Sequence, residues 1–172
     1  MDRDFFLIQK IKNGDDDAVE EFVRKYYPVI LKYCKYHICD KQSAEDLTQE
    51  TFERFFSSLC RYRHREKTAN YLYVIAGNLC RDSYRHKNEL PLEELPETAE
   101  NIMADVELKI TLEQALQRLP EELREVIILH YFQNLKQREI AEILQIGLPL
   151  VKYRLGRARE LLKEDLGEED DR

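Results

Sequence analysis

The 172-residue sequence predicts an all-α protein in which an acidic linker joins two small helical domains. Apolar residues recur every three to four positions over long segments, and no segment alternates apolar and polar residues long enough to compete as a strand. A composition with only five glycines, five prolines and 35% charged residues also favours helices over a sheet. Between the two sets of helical segments, residues 86–107 hold two of the prolines and many acids, which is typical of a linker.

The charge of the chain is unevenly distributed, with a formal net value of -7. Residues 1–88 hold 16 basic and 14 acidic side chains, whereas residues 89–109 hold one basic and seven acidic ones. The acidity therefore lies mostly in the middle segment and in the terminal EDLGEEDD, so the remaining surface can still bind a polyanion. No apolar run approaches about 18 residues and the N-terminus lacks a signal-peptide pattern, so we expect a cytoplasmic protein that does not itself insert into a membrane.

Three helices are expected in the first half, at residues 18–38, 43–59 and 70–87. In the second of them, Ser43 and Asp46 resemble a capping box and predict where the helix begins. One face of this helix is apolar and is expected to be buried; it consists of Phe52, Phe55, Phe56 and Leu59.

Another side of the same helix is polar and carries Asp46, Gln49, Glu50 and Glu53. Most charged helix faces are simply solvated, and the pattern alone favours that interpretation. A binding face for a protein partner is the alternative.

Residues 60–87 combine basic and aromatic side chains. Seven lysines and arginines stand against two acids, and four tyrosines are interleaved with them. Cations that neutralise phosphates beside rings that stack on unpaired bases are what single-stranded nucleic acid requires. The composition fits equally well a core position for the tyrosines, from which the arginines extend to solvent.

Four cysteines, Cys34, Cys39, Cys60 and Cys80, are expected to be reduced thiols in the cytoplasm. Cys34, His37 and Cys39 lie close in sequence and raise the possibility of a metal site. Their spacing lacks a paired CxxC knuckle, and no second cluster completes four ligands. We therefore expect half-buried thiols on helices, with no metal site and no cofactor.

Four helices are expected in the second half, at residues 110–119, 121–132, 137–145 and 150–165. The last two predict a helix-turn-helix, because Ala141 and Val151 stand ten residues apart around a short break. Pro149 suits the first turn of the second helix, where its missing N–H costs nothing.

The second helix of this motif carries a basic stripe of Lys152, Arg154, Arg157 and Arg159. Leu148, Val151 and Leu155 are expected to face inward, which leaves the cations on other sides of the helix. A recognition helix for the DNA major groove is the favoured interpretation, and a solvated basic helix is the alternative. Because such helices read bases with their N-terminal residues, Lys152 and Arg154 are the expected base contacts, and the later two arginines the expected phosphate contacts.

These motifs resemble the extracytoplasmic-function (ECF) group of bacterial RNA polymerase sigma factors. SAEDLTQETFERFF resembles the family's second conserved region, which is associated with the polymerase clamp helices. YLYVIAGNLCRDSYRHK is similar to the helix that, with the preceding loop, opens and reads the promoter -10 element. LPEELREVIILHYFQNLKQREIAEIL followed by VKYRLGRAREL resembles the fourth region, which reads the -35 element in the major groove. The resemblance spans residues 5–166.

The resemblance implies a region 2-like domain at residues 1–88, an acidic linker at 89–108, and a region 4-like helix-turn-helix domain at 109–172 with an acidic tail. The expected contacts with core polymerase are Asp46, Gln49, Glu50 and Glu53. The expected contacts with the -10 element are Arg61, Tyr62, Arg63, Arg65, Lys67, Tyr71, Asn78, Arg81 and Arg85. The expected contacts with the -35 element are Arg138, Lys152, Arg154, Arg157 and Arg159.

The chain departs from the family pattern at several positions. Gln145 stands where a glycine usually follows the first helix of the turn motif, and Gly77 replaces a common arginine. Pro149 and Leu150 stand where glycine and threonine are common. These departures leave the expected fold intact and the promoter sequence open.

The function implied by the resemblance is that of a promoter-specificity subunit without catalysis, whose partners are core RNA polymerase, promoter DNA and an anti-sigma factor. A free-standing helix-turn-helix regulator that binds DNA without polymerase is the alternative, but it leaves SAEDLTQETFERFF and the linker unexplained. An enzyme is not expected, because no nucleophile elbow, phosphate loop or HExxH motif occurs.

Overall fold

The computed structural model describes residues 3–38, 40–64, 67–89 and 112–166. All regular structure in these ranges is helical, which confirms the expected all-α class. None of these helices is both long and apolar enough to cross a membrane. The linker beyond residue 89 and the acidic tail 168–171 lie outside the described residues. The helices are α1 (Arg3–Lys12), α2 (Asp16–His37), α3 (Lys41–Ser57), α4 (Thr68–Glu89), α5 (within 112–118), α6 (Glu121–Ile127, continued by a π-helical turn over Ile128–Phe132), α7 (Gln137–Leu144) and α8 (Leu148–Leu166).

Helices α1 to α4 form one bundle with Phe22 of α2 in its core. The Phe22 ring stacks on Phe55 of α3, with centroids 4.8 Å apart and planes 11° apart. Phe52 and Phe56 make edge-to-face contacts with the same ring. The expected apolar face of α3 is confirmed, because Phe52, Phe55 and Leu59 are buried and Phe56 is partly buried. Each such side chain contributes roughly 1.5–3 kcal/mol through its burial.

The N-terminus of α3 differs from the sequence expectation. The helix begins at Lys41, and the N-cap is Asp40, whose carboxylate accepts the backbone N–H of Ser43 at 2.8 Å. The prediction of Ser43 as the cap was therefore wrong. Asp40 competes successfully because a carboxylate is a strong acceptor that also interacts favourably with the positive end of the helix dipole.

Helix α1 has no counterpart in the sequence expectation, because ten residues offer too few apolar positions to define a period. Its buried apolar residues are Leu7, Ile8 and Ile11. The buried carboxylate of Asp4 accepts hydrogen bonds from Lys25 and from the hydroxyl of Tyr26 on α2. A paired acid and three aliphatic side chains thus attach α1 to α2.

Residues 112–166 form a second helical group that contains the expected helix-turn-helix. Val151 of α8 is fully buried, Ala141 of α7 is partly buried, and Pro149 lies in the first turn of α8. Gln145 ends α7 in the left-handed region at φ +53°, and the N–H of Ile146 donates to the carbonyl of Ala141 at 3.1 Å. A left-handed conformation costs a residue with a Cβ roughly 1–2 kcal/mol. The turn therefore requires the left-handed conformation, which glycine adopts without strain, and in this chain Gln145 adopts it.

Arg124 of α6 is a buried cation that holds the start of this group together. Its guanidinium donates to the carbonyl oxygens of Leu116 at 2.9 Å, Gln117 at 3.1 Å and Leu119 at 2.9 Å. The last carbonyls of a helix have no partner within that helix. Arg124 therefore caps the end of α5 and joins it to α6.

The two helical groups pack directly against each other, with α2 and α4 on one side and α5 to α7 on the other. The rings of Tyr36 and Phe132 lie with centroids 4.0 Å apart. The hydroxyl of Tyr73 on α4 donates to Oε1 of Gln133 at 2.9 Å. One hydrophobic core consequently runs from one group into the other.

Candidate nucleic-acid interface

The polar side of α3 presents its acids to solvent. Asp46, Gln49 and Glu53 are exposed, and the side chain of Glu50 is 43% exposed. Their hydrogen bonds run along the helix: Gln49 donates to Glu53 at 3.2 Å, and Arg54 donates to Glu50 at 2.6 Å. Because the opposite side of α3 is fixed in the aromatic core, this acidic face has a defined orientation.

A cleft of about 420 Å³ lies between the loop before α4, the start of α4 and the C-terminal part of α7. Tyr62 and Tyr71 line it with ring centroids 5.0 Å apart, together with the cations Arg63 and Lys67. Tyr62 is only 9% exposed and lies edge-to-face on Phe55, so this tyrosine belongs to the core. Tyr71 is half-buried, and it can offer part of its ring to a ligand in the cleft.

The cations of the loop before α4 differ in their surroundings. Arg61 and Arg63 are exposed, and Arg65 lies outside the described residues. Lys67 donates to Glu139 at the start of α7, and the other carboxylate oxygen of Glu139 accepts the backbone N–H of Lys136 at 2.7 Å. The hydrogen bond from Lys67, followed by the one from Lys136, holds the pKa of Glu139 below its usual range. One expected -10 cation is thus engaged by the turn motif.

Arg81 of α4 is bonded to two acids of α6. Its Nε donates to Glu121 at 3.1 Å and its Nη2 donates to Glu125 at 3.2 Å. Glu125 is buried and also accepts the hydroxyl of Tyr33 at 3.3 Å. Burial raises the pKa of Glu125 even though Arg81 acts to lower it. A second expected -10 cation therefore closes the contact between the two helical groups.

Gly77 makes this contact possible. It lies one turn before Arg81, and a Cβ added there would lie 2.9 Å from both Glu125 Oε1 and the hydroxyl of Tyr33. Real Cβ atoms essentially never approach other atoms so closely. The position where an arginine is common is therefore the place where the acids of α6 reach α4. Asn78 and Arg85, the other expected -10 residues on this helix, are exposed.

The helix-turn-helix presents most of its expected cations to solvent. Arg138 on α7 is exposed, and so are Lys152, Arg157 and Arg159 on α8. Arg154 differs, because its side chain is only 16% exposed and its Nη2 donates to Glu122 at 2.7 Å. Of the expected inward residues, Val151 and Leu155 are buried and Leu148 is partly buried.

Two of the three residues considered for a metal site, Cys34 and His37, lie in the core. Sγ of Cys34 is 4.0 Å from Sγ of Cys80. His37 is buried with no partner for its Nε2, and burial, with smaller contributions from Arg124 and Arg81, lowers its pKa to about 3. Cys39 lies outside the described residues. Among those that are described, no three His, Cys, Asp or Glu side chains are grouped to hold a metal ion.

Sequence reasoning missed two features of the structure. One is the cluster of Tyr33 and Glu125 between the helical groups, for which the signal was an acid directly before the apolar run VIIL. The other is Tyr153 on α8, which is 67% exposed. Its signal was a large ring on the side of the helix opposite Val151 and Leu155.

Two family descriptions match the chain: "Sigma-70 region 2" over residues 22–89 and "Sigma-70, region 4" over residues 109–162. Among curated proteins, the chain is 33% identical to the ECF RNA polymerase sigma factor SigW of Bacillus subtilis, over 92% of this chain and 94% of that protein. It is 28% identical to the RNA polymerase sigma-H factor of Pseudomonas aeruginosa, over 96% of this chain and 95% of that protein.

Two solved structures share the fold. CnrH, in complex with the cytosolic domain of CnrY, matches with a TM-score of 0.76 at 22% identity, covering 96% of this chain and 97% of CnrH. The sigma factor RpoE of Bartonella quintana, in complex with the anti-sigma factor NepR, matches with a TM-score of 0.71 at 21% identity, covering 90% of this chain and 98% of RpoE. At these identities the likeness concerns the fold.

Proposed function

The chain belongs to the extracytoplasmic-function (ECF) sigma factors of bacterial RNA polymerase, and on this basis we propose how its surfaces divide the work of promoter recognition. As a sigma factor it binds core polymerase, directs it to specific promoters and initiates transcription. The observation that carries the division is that three surfaces of different chemistry lie on three separate elements: the acidic face of α3, the basic and aromatic cleft at the start of α4, and the basic helix α8.

Core polymerase binding is assigned to the acidic face of α3, formed by Asp46, Gln49, Glu50 and Glu53. These side chains are solvent-accessible, and the helix behind them is held by Phe52 and Phe55. Exposed carboxylates with a fixed orientation give a basic partner surface both steering and register.

Recognition and melting of the -10 element are assigned to the loop before α4 and to α4 itself. The residues are Arg61, Tyr62, Arg63, Arg65, Lys67, Tyr71, Asn78, Arg81 and Arg85. The half-buried ring of Tyr71 in a cleft with two cations supports this assignment, because a stacking ring beside phosphate-binding groups suits an unpaired strand. Tyr62 contributes from below, by supporting Tyr71 in the core.

Recognition of the -35 element is assigned to the turn motif, through Arg138, Lys152, Arg154, Arg157 and Arg159. The support is a recognition helix whose buried side is apolar and whose remaining surface is rich in cations. In this assignment Arg154 has a second role, because its bond to Glu122 also ties α8 to α6.

The two domains have to separate before the -10 surface can act. Lys67 and Arg81 are engaged by acids of the C-terminal group, so phosphates and those acids compete for the same two cations. Lys152, Arg157 and Arg159 of α8 face solvent in the same arrangement. In the packed arrangement, two cations of the -10 surface are thus engaged by acids, whereas four of the five cations of the -35 surface are accessible.

We place the boundaries of this architecture at a region 2-like domain of residues 1–88, a linker at 89–108 and a region 4-like domain at 109–172. The two family matches, over residues 22–89 and 109–162, support these limits to within one residue. A linker with seven acids can follow polymerase channels built for nucleic acid, because its negative charge resembles that of RNA.

Three further properties follow from this role. The protein works by binding alone, without a catalytic step, a metal or a cofactor. Its place of action is the cytoplasm, where polymerase and promoter DNA are found. An anti-sigma factor is a proposed third partner, as in the structure of RpoE from Bartonella quintana.

A free-standing helix-turn-helix regulator is the less favoured function. Such a protein needs only the C-terminal group, and it gives no role to residues 22–89, which match sigma region 2. It also predicts tight and specific DNA binding in the absence of polymerase.

The assignment of α3 is tested by charge reversal. Glu53→Lys should weaken binding to core polymerase by about tenfold or more, because like charges then face each other across the contact. Glu20→Lys is the matched control, since Glu20 is an exposed acid on α2. Affinities measured by fluorescence titration, with helix content from circular dichroism, separate the two variants. Equal affinity for the folded Glu53→Lys protein would remove the acidic face from the polymerase contact.

A further inference from the structure

The outward side of α8 carries two apolar side chains, which are followed on the same stripe by a cation. Leu150, Tyr153 and Arg157 follow the i, i+3, i+7 spacing that places side chains on one side of a helix. Leu150 is 39% exposed and Tyr153 is 67% exposed, the latter being unusually high for a large aromatic residue. The side chain of Arg157 is 46% exposed at the end of the same stripe.

The opposite side of α8 fixes the direction of this stripe. Val151, Leu155 and Ala158 are buried against the rest of the domain. Tyr153 stands between the first two of these in sequence and projects from the other side of the helix. In a recognition helix, the side opposite the buried one enters the major groove. Tyr153 therefore lies at the centre of the surface that faces the bases.

The cations of α8 leave this central position to apolar groups. Arg154, an expected base contact, is only 16% exposed and is bonded to Glu122. Lys152 and Arg157 are exposed and flank Tyr153 along the helix, where long cationic side chains reach phosphates on either side of a groove. The charge distribution thus suits DNA, whereas the centre of the face is suited to an apolar feature of a base edge.

Thymine offers such a feature, because its C5-methyl group is the apolar group that base pairs present in the major groove. We propose that Leu150 and Tyr153 determine specificity in the -35 element by contact with thymine methyl groups. This inference rests on the proposed role of α8 in -35 recognition and adds the base that is read and the residues that read it.

Gly156 supports a close approach of DNA to this part of α8. A glycine inside a helix costs about 1 kcal/mol relative to alanine. A Cβ added at Gly156 would meet no described protein atom within 4 Å, so packing among the described residues gives no reason for a glycine there. It lies three positions after Tyr153, and its missing side chain lets the helix backbone lie nearer to the base edges.

The test compares thymine with deoxyuridine, which differs only by lacking the methyl group. Holoenzyme made from the full chain and core polymerase first selects its preferred -35 sequence from a randomised promoter library. Each thymine of the selected element is then replaced singly by deoxyuridine, and binding is measured for wild-type, Leu150→Ala and Tyr153→Ala holoenzymes. Tyr131→Ala is the matched control, because Tyr131 is a 49% exposed tyrosine of the same group outside α8.

The proposal expects wild-type holoenzyme to lose about fourfold in affinity at one or two thymines, the value for one buried methyl-sized group. Tyr153→Ala or Leu150→Ala should abolish that difference, and Tyr131→Ala should retain it. The proposal would be overturned if deoxyuridine at every thymine position left the affinity of the wild-type holoenzyme unchanged. It would also be overturned if both α8 variants showed the same loss of affinity as the wild type. Weaker binding of Tyr153→Ala to core polymerase without DNA, with unchanged discrimination, would overturn it in favour of a protein contact. Failure to select any -35 sequence would instead refute the underlying role of α8.

Discussion

Replacing Gly77 with alanine should separate the two domains without unfolding either of them. The added Cβ would lie 2.9 Å from Oε1 of Glu125 and 2.9 Å from the hydroxyl of Tyr33. Neither neighbour can move freely, because Tyr33 is fully buried and Glu125 is held by Arg81. Withdrawal of α6 from α4 removes the overlap with Glu125, and it also releases the hydroxyl of Tyr33 from its hydrogen bond to Glu125, so that the ring can shift away from the new Cβ.

The substitution makes two contributions to the free energy, and only the first changes the balance between the packed and the separated arrangement. Overpacking of a buried contact costs roughly 1–3 kcal/mol. Alanine is favoured over glycine inside a helix by about 1 kcal/mol, and this gain in α4 is present whether the domains are together or apart. The packed arrangement should therefore lose about 2 kcal/mol, which is roughly a 30-fold change in the ratio of packed to separated molecules. Helix α4 itself should become more stable.

Energy transfer between dyes on the free protein measures the separation. Suitable positions are the exposed Glu20 on α2 and Lys163 on α8. Gly77→Ala should lower the transfer efficiency with no loss of helix content. Gly156→Ala is the control, because it gains the same helix propensity and its Cβ meets no described atom within 4 Å. Unchanged transfer in Gly77→Ala would refute the reasoning that Gly77 permits the packed arrangement.

Three further outcomes are expected. The pKa of His37 is about 3 in the folded protein and about 6.5 in the unfolded chain, so the unfolded state binds more protons between these two values. The free energy of unfolding should therefore fall by about 1.4 kcal/mol for each pH unit below 6.5. In denaturant titrations at several pH values, the His37→Gln variant should not show this loss of stability. The raised pKa of Glu125 has the opposite effect on stability, but it affects both proteins equally and drops out of their difference. Gln145→Gly should raise the free energy of unfolding by about 1 kcal/mol in urea, because it relieves a φ of +53°, and a decrease would show that the glutamine side chain holds the turn. Tyr71→Ala should impair initiation on closed duplex more than on a pre-opened bubble, since stacking contributes about 1–3 kcal/mol per base, and equal losses would indicate a purely structural role.

Features with a long local signal could be predicted from the sequence. The aromatic face of α3 follows from the spacing of Phe52 and Phe55, and the helix-turn-helix follows from the positions of Ala141 and Val151. The period of the apolar residues depends only on nearby positions in the sequence, so it can be recognised without knowing how distant parts of the chain pack. Helix α1 is too short to show such a period, and the cap of α3 moved to Asp40 because a better acceptor stood three residues upstream.

The partners of individual charged side chains could not be predicted in this way. Arg81 and Glu125 are 44 positions apart in sequence, and Arg154 and Glu122 are 32 apart. Such pairs depend on the packing of whole helices, and a cation counted as a DNA contact from composition can be bonded to an acid of the same chain. The same limit applied to Gly77, whose missing side chain matters only because α6 approaches α4 at that point.

Transcription by core polymerase reconstituted with the full chain is the decisive assay of promoter-specific initiation by this protein. Genomic DNA of the source bacterium serves as template, and the 5′ ends of the transcripts are mapped with and without the chain. New start sites that depend on the chain are expected, each preceded by common -35 and -10 elements at a uniform spacing. Binding of the chain alone to specific DNA, with no chain-dependent start site, would contradict this expectation.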